Sequence, residues 1–247
     1  MLKDLGKDGS ATEYNAPSPY TRRMWAGGSI QWSNNNSLKI GDDVTQIVTI
    51  PKVEFKKDMI FVNQQLLIYP GIRSNSQSSK KNDDSWSIKE IRTHVFRKEP
   101  TFNTVHQIAS SEKSTYSQKS SRTIQPIHSF KYIPDSTLLF LYSALTNNPH
   151  KVHYDYEWTI KEEGHEKPLV HGPLTATLLV ELAGQLKPDK KIKEFKYRAT
   201  NPMTIDREIR LSASRSTSKE GPLDTSTFEL IAEQSSKIGM KAFASFH

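Results

Sequence analysis

Cysteine is absent from the 247 residues. That excludes disulfides, thiolate nucleophiles, Cys-ligated zinc and iron–sulfur clusters together. Any metal would need histidine and carboxylate ligands. Long apolar runs are also missing. None approaches the roughly 18 consecutive apolar residues of a membrane-spanning helix, so we expect a soluble chain with no stable membrane insertion. There is no GxSxG elbow for a serine nucleophile, no Walker loop and no dinucleotide glycine pattern. The first residues, MLKDLGKDGSATEYN, lack both the apolar core of a secretory signal and the Arg-rich pattern of an amphipathic presequence. They imply either a cytosolic protein or a targeting segment upstream of this chain.

What is present suits a folded domain. Hydrophobic residues make up 35%, charged residues 25% and aromatics 9%, polar for a globular protein but too aromatic for wholesale disorder. The length allows one large domain or two half-size ones. Lys plus Arg exceeds Asp plus Glu by 34 to 27, a net charge of +7, which favours anionic partners. The basic residues are scattered, with clusters at Lys80-Lys81 and Lys187 to Lys193. No long basic stripe interleaves with aromatics, which argues against nucleic acid.

The organisation follows from periodicity and punctuation. Residues 1–22 read as an irregular segment, 23–108 as a strand-rich half, 109–125 as a low-complexity linker, and 126–247 as a second half. Gly27-Gly28, between two tryptophans, marks a turn or a close backbone approach. Val44, Val48 and Ile50 share a strand face that Pro51 should end. Ile60 to Ile68 form a second strand, and Trp86 to Phe96 a third with a bulge between Ile88 and Ile91. In the second half a helix starts at Gly172, with Pro173 at its first position. Leu174, Leu178, Leu179, Leu182, Ala183 and Leu186 lie on one face, and Gly184, Lys187 and Pro188 end it. Four alternating runs follow, around 195–199, 209–213, 227–233 and 240–246, as antiparallel strands with one covered face do. Neither the helix nor the sheet can bury its apolar face alone. The expected fold class is therefore α+β, a double hot-dog with antiparallel sheets each wrapped around a central helix, although the first half shows no comparably clear helix.

Chemistry concentrates between Tyr142 and Leu186. Asn148, His150, His153 and Asp155 fall within eight positions, and a helix N-terminus follows at Gly172. LTNNPHKVHYDYEW resembles the hydratase-2 motif of MaoC-like hydratases, Asp-x-Asn-Pro-Ile-His-x-Asp, and LVHGPLTATLLVELAG resembles the hot-dog helix after it. Together with YTRRMWAGGSIQW, these segments resemble the fungal mitochondrial hydroxyacyl-thioester dehydratase type 2 family, and mesaconyl-C4-CoA hydratases look similar in the same places. The resemblance runs from about Leu5 to the C-terminus. It implies a double hot-dog hydro-lyase that dehydrates (3R)-hydroxyacyl thioesters to trans-2-enoyl thioesters without a metal or redox cofactor. It further implies a mitochondrial location and an acidic acyl carrier protein or a CoA thioester as the substrate-bearing partner. A homodimer is compatible with it.

Aligning the motif histidine with His153 puts the family aspartate at Asn148, which forms hydrogen bonds but takes up no proton near neutral pH. His153 is then the single candidate acid and base, Asn148 holds the water, and Gly172 N–H polarises the thioester carbonyl at a helix N-terminus. His171 either lines the pocket or caps the helix. His150 reads as a supporting or solvated residue, and Asp155 as a hydrogen-bond acceptor near the site or a cap. Lys187 and Lys191 are candidates for attracting the carrier or CoA phosphates. Three histidines also invite a zinc reading, but the spacing lacks a HExxH-type partner, and no metal is expected. No second Asn/Asp-x4-His pairing occurs upstream, which predicts one site per chain with the first half shaping an acyl tunnel. The competing readings are a CoA-thioester hydratase and a non-catalytic acyl-thioester-binding module.

Overall fold

The computed structural model describes residues 4–12, 15–72, 84–98, 126–216 and 227–247. Four strands come from the first half: β1 (Arg22–Trp32), β2 (Val44–Lys56), β3 (Met59–Pro70) and β4 (Ile88–Arg97). The second half adds β5 (His128–Tyr132), α1 (Ser136–Thr146), a 3-10 turn (Lys151–His153), α2 (Tyr156–Lys161), α3 (Gly172–Leu186), β6 (Ile192–Ala199), β7 (Ile209–Arg215), β8 (Thr227–Gln234) and β9 (Lys237–Phe246). All nine strands join one antiparallel sheet in the order β2-β3-β4-β1-β6-β9-β8-β7-β5. Among the described residues no helix is long and apolar enough to cross a membrane.

The second half is built as its periodicity requires. α3 packs on the inner face of β5 to β9. Leu179, Leu182 and Ala183 are fully buried there, and each leucine contributes about 1.5–3 kcal/mol by leaving water. Ala213, Ala232, Ala242 and Ala244 line the facing sheet, also buried. Small side chains at these points let the helix sit close to the strands. Ser235 and Ser236 both have positive φ, 51° and 61°, the two-residue turn whose twist matches a hairpin. Lys57 and Asp58 do the same between β2 and β3.

Several expectations need correction. Pro51 does not end its strand: β2 runs through it, because β2 is the outermost strand and the pairing shifts between Thr49 and Lys52. The bulge expected in β4 lies instead across from it, between Trp25 and Gly27 of β1. Gly27-Gly28 is no turn. Both glycines lie mid-strand, where a Cβ on Gly28 would collide with the Ile91 carbonyl and one on Gly27 with the Tyr197 carbonyl. This close approach lets β1 sit between β4 and β6 and join the two halves. The first half contributes no helix among the described residues, and the expected linker, 109–125, lies outside them.

Candidate active site

The site begins at the end of α1. Asn147 has φ 50°, its N–H reaches Ala144 O at 3.3 Å, and Asn148 N–H reaches Ser143 O at 2.9 Å. This is a Schellman termination, in which asparagine tolerates the left-handed residue. The chain then turns sharply. Asn148 Oδ1 accepts weakly from His150 N–H at 3.3 Å. The 3-10 turn closes as Lys151 N–H donates to Asp8 O at 2.7 Å. The N-terminal segment, expected to be irregular, thus clamps the motif loop.

Four rings meet in a row, and the middle two, His171 and His153, are stacked. Tyr142 lies 4.9 Å from His171, His171 lies 3.7 Å from His153 at an interplanar angle of 20°, and His150 meets His153 edge-on at 5.5 Å. His153 Nδ1 lies 2.8 Å from Leu169 O. A carbonyl only accepts, so Nδ1 carries the proton and Nε2 is left with a free lone pair. Leu169 is itself fixed, its N–H donating to Val152 O at 2.9 Å. His171 is fully buried, with Nε2 2.9 Å from Ser143 Oγ. It is the N-cap residue of α3 by position, its carbonyl accepting from Thr175 N–H at 3.1 Å, while its side chain makes no capping bond and turns to Ser143. Gly172 follows it as the first residue of α3, and its N–H makes no hydrogen bond among the described residues.

Electrostatics keep this row neutral. Burial, the charge of His171 and that of His150 hold His153 well below the usual imidazole range, against a raising effect of its bond to Leu169. Burial and His150 push His171 down to about 4. Burial also lowers His150, opposed by Asp8 and Glu163 and assisted by Arg23 and Arg22. Near pH 7 the arrangement is a set of neutral imidazoles at a helix N-terminus. One has an oriented basic nitrogen, as proton transfer at carbon requires.

The other expected residues divide. His150 belongs to the cluster, with Nε2 3.5 Å from Asp8 Oδ2. Asp155 is the N-cap of α2, accepting from Trp158 N–H at 2.9 Å. Lys187 and Lys191 lie past the opposite end of α3, whose 15 residues span about 22 Å. Lys187 Nζ sits over the Phe228 and Phe246 rings, 5.6 and 5.9 Å from their centroids. Lys191 Nζ donates to Ser37 Oγ at 3.0 Å and lines a cavity of about 520 Å³ with Trp32, Leu38, Val180 and His247. Among the described residues no three His, Asp or Glu side chains converge as metal ligands.

Three contributors went unread in the sequence. Asp8 holds the motif loop and faces His150. Trp25 of β1 packs on Gly172, where an added methyl would meet its Cδ1 at 3.3 Å. His94 of β4 lies opposite Trp25 and meets its ring edge-on at 5.3 Å. Burial, then Arg23 and Arg92, push His94 down to about 4. The first half therefore supplies polar groups to the site and not only a wall. The TRRMW segment was one sign of this, but nothing local in it shows which residue it meets.

An antiparallel sheet wrapped on one helix, with a histidine cluster at that helix's N-terminus, defines a hot-dog protein of the MaoC-like type. The chain belongs to the hydroxyacyl-thioester dehydratase type 2 family, whose model matches residues 1–205. It is 30% identical over 194 residues to a mesaconyl-C(4)-CoA hydratase of Chloroflexus aurantiacus, covering 76% of this chain and 59% of that protein. It is 22% identical over 227 residues to the mitochondrial hydroxyacyl-thioester dehydratase type 2 of Schizosaccharomyces pombe, covering 85% and 72%. In fold it is similar to a MaoC-like dehydratase of Phytophthora capsici (TM-score 0.66, 13% identity, 94% of this chain and 74% of that one). The same holds for HtdX of Mycobacterium tuberculosis (TM-score 0.65, 12%, 96% and 80%).

Proposed function

We propose that the chain is a hydro-lyase that interconverts 3-hydroxyacyl and trans-2-enoyl thioesters. The observation that carries this is the Nδ1–H donation of His153 to Leu169 O, which leaves Nε2 basic beside the N-terminus of α3. In the dehydration direction His153 Nε2 takes a proton from Cα, and the electrons of the Cα–H bond pass toward the thioester oxygen. Gly172 N–H and the helix dipole stabilise that oxygen. The Cα=Cβ bond then forms as the Cβ–O bond breaks, and the same imidazolium returns its proton to the departing hydroxyl, releasing water. One proton enters and leaves on one nitrogen, so no carboxylate is needed where Asn148 stands. Asn148 orients the water through its amide. The scheme uses no metal or redox cofactor.

The carrier has two readings. The likeness to the Schizosaccharomyces pombe protein, named as mitochondrial, supports a (3R)-3-hydroxyacyl-[acyl carrier protein] substrate in mitochondrial fatty acid synthesis. The higher identity to the Chloroflexus hydratase supports a CoA thioester. The reaction itself is tested by hydration of trans-2-enoyl-CoA of several chain lengths, wild type against His153→Ala. Loss of about a hundredfold or more in kcat is expected. A smaller loss in a folded variant would remove His153 from this role.

A further inference from the structure

The N-terminal segment closes on itself before it meets the site. Leu5 and Ala11 pair across it, Gly6 N–H donates to Ser10 O at 2.8 Å, and Gly9 N–H donates to Gly6 O at 2.9 Å. Gly9 has φ 80°, and a side chain there would collide with the Pro149 carbonyl, so this loop seats directly on the motif. Backbone contacts alone, with Lys151 N–H on Asp8 O, would hold it there.

The Asp8 side chain is fixed as well. Ser10, itself buried, donates its N–H to Oδ1 at 2.9 Å, and its Oγ lies 2.9 Å from both carboxylate oxygens. Oδ2 then faces His150 Nε2 at 3.5 Å, with both side chains mostly buried. A carboxylate held out of water is costly without a charge to meet, and among the described residues no lysine or arginine pairs with this one. The motif offers the histidines no carboxylate of its own. Asn148 stands at that position, and Asp155 caps α2. Glu163, the other acid whose charge reaches His150, is paired with Arg22.

We propose that Asp8 is a positioning residue for the reaction: acting through His150, it brings from the N-terminal segment the negative charge that the motif lacks at Asn148. This rests on the reading of the site as an enoyl-thioester hydratase. Asp8 moves no proton, and His153 still makes both transfers. When His153 takes the Cα proton, positive charge appears in a row of buried rings, and neither His171 nor Asn148 offsets it. The Asp8 carboxylate does so from behind His150, and it holds that ring edge-on to His153. Glu163 acts on His150 in the same sense, and Arg22 and Arg23 in the opposite one.

The test compares two variants by hydration of the trans-2-enoyl-CoA that wild type turns over fastest, from about pH 5 to 9. Asp8→Asn can still accept from Ser10 but loses the charge; Asp8→Glu keeps the charge. Asp8→Asn should lower kcat about tenfold, the effect of withdrawing one pKa unit of support from the imidazolium, with KM little changed. The acid limb of kcat/KM reports the base of the free enzyme. A carboxylate raises the pKa of a histidine it faces, so its loss should move that limb to lower pH. The midpoint of a limb does not depend on how much of a variant is folded. Asp8→Glu should recover most of the rate and return the midpoint. An unmoved midpoint in Asp8→Asn, or equal losses in the two variants, overturns the proposal and leaves Asp8 a clamp on the loop, with the hydratase reading standing. Wild type that hydrates no enoyl-CoA removes the hydratase reading and this proposal with it.

Discussion

At the scale of single residues, the site depends on His153 being held in one tautomer against a stacked, uncharged partner. Ser143 secures that partner. It is buried beside His171, and the bond between Ser143 Oγ and His171 Nε2 is 2.9 Å. His171 Nδ1 is also buried and has no partner among the described residues. Ser143→Ala would leave both ring nitrogens unmatched, at a cost of about 1–3 kcal/mol. Urea denaturation should show this loss, and Ser143→Ala with His171→Phe should recover most of it, because the polar group is then gone. A single variant as stable as wild type would mean the bond is replaced at no cost. His153 and Gly172 were legible in the sequence because motif and helix start stand within one short stretch. Asp8 and Trp25 were not. Asp8 meets Lys151 and His150, and Trp25 of β1 meets Gly172, each across more than a hundred residues and through contacts that no local pattern encodes.

At the scale of elements, the turn after α1 decides where Asn148 and His150 lie. α1 escaped the sequence reading because Leu138, Leu139, Phe140 and Leu141 are apolar in succession, with no 3.6-residue spacing to mark a face. Asp135 starts it, accepting from Leu138 N–H at 2.7 Å. Asn147 stops it with φ 50°, a conformation costing most residues roughly 1–2 kcal/mol. Asn147→Ala should therefore destabilise by about 1 kcal/mol and lower kcat, since the next residue is Asn148. Asn147→Gly, free of the Cβ penalty, should be at least as stable as wild type. Thermal melts and hydration rates on the two variants check this, and equal effects of alanine and glycine would dismiss the turn as the cause. α3 was legible to within its end residues for the opposite reason: its leucines recur on one face and glycine-proline opens it.

At the scale of the whole molecule, one sheet carries both halves, and β1, the strand that joins them, brings side chains of the first half to the helix of the second. The cost is a set of histidines that folding keeps uncharged. His171 and His94 are both pushed from the ordinary 6.5 down to about 4, and His153 is lowered as well. The unfolded chain binds protons at these sites as pH falls through about 6.5, whereas in the folded chain His171 and His94 do not until about pH 4 and burial holds His153 below the usual imidazole range. Stability rises with pH wherever the unfolded state holds more protons. It must therefore be level above about pH 7.5 and fall as pH is lowered from 6.5 toward 4. His171, being fully buried, accounts for roughly 3 kcal/mol of that fall, and the other two act in the same direction. The carboxylates whose pKa the fold lowers, Glu54, Asp58 and Glu194, add their own loss below this window. Urea midpoints at pH 7.5, 6.5, 5.5 and 4.5 should trace the decline, and His171→Phe should make it shallower. A flat profile between 6.5 and 4.5 would mean that the ring row opens to water and charges before the protein unfolds.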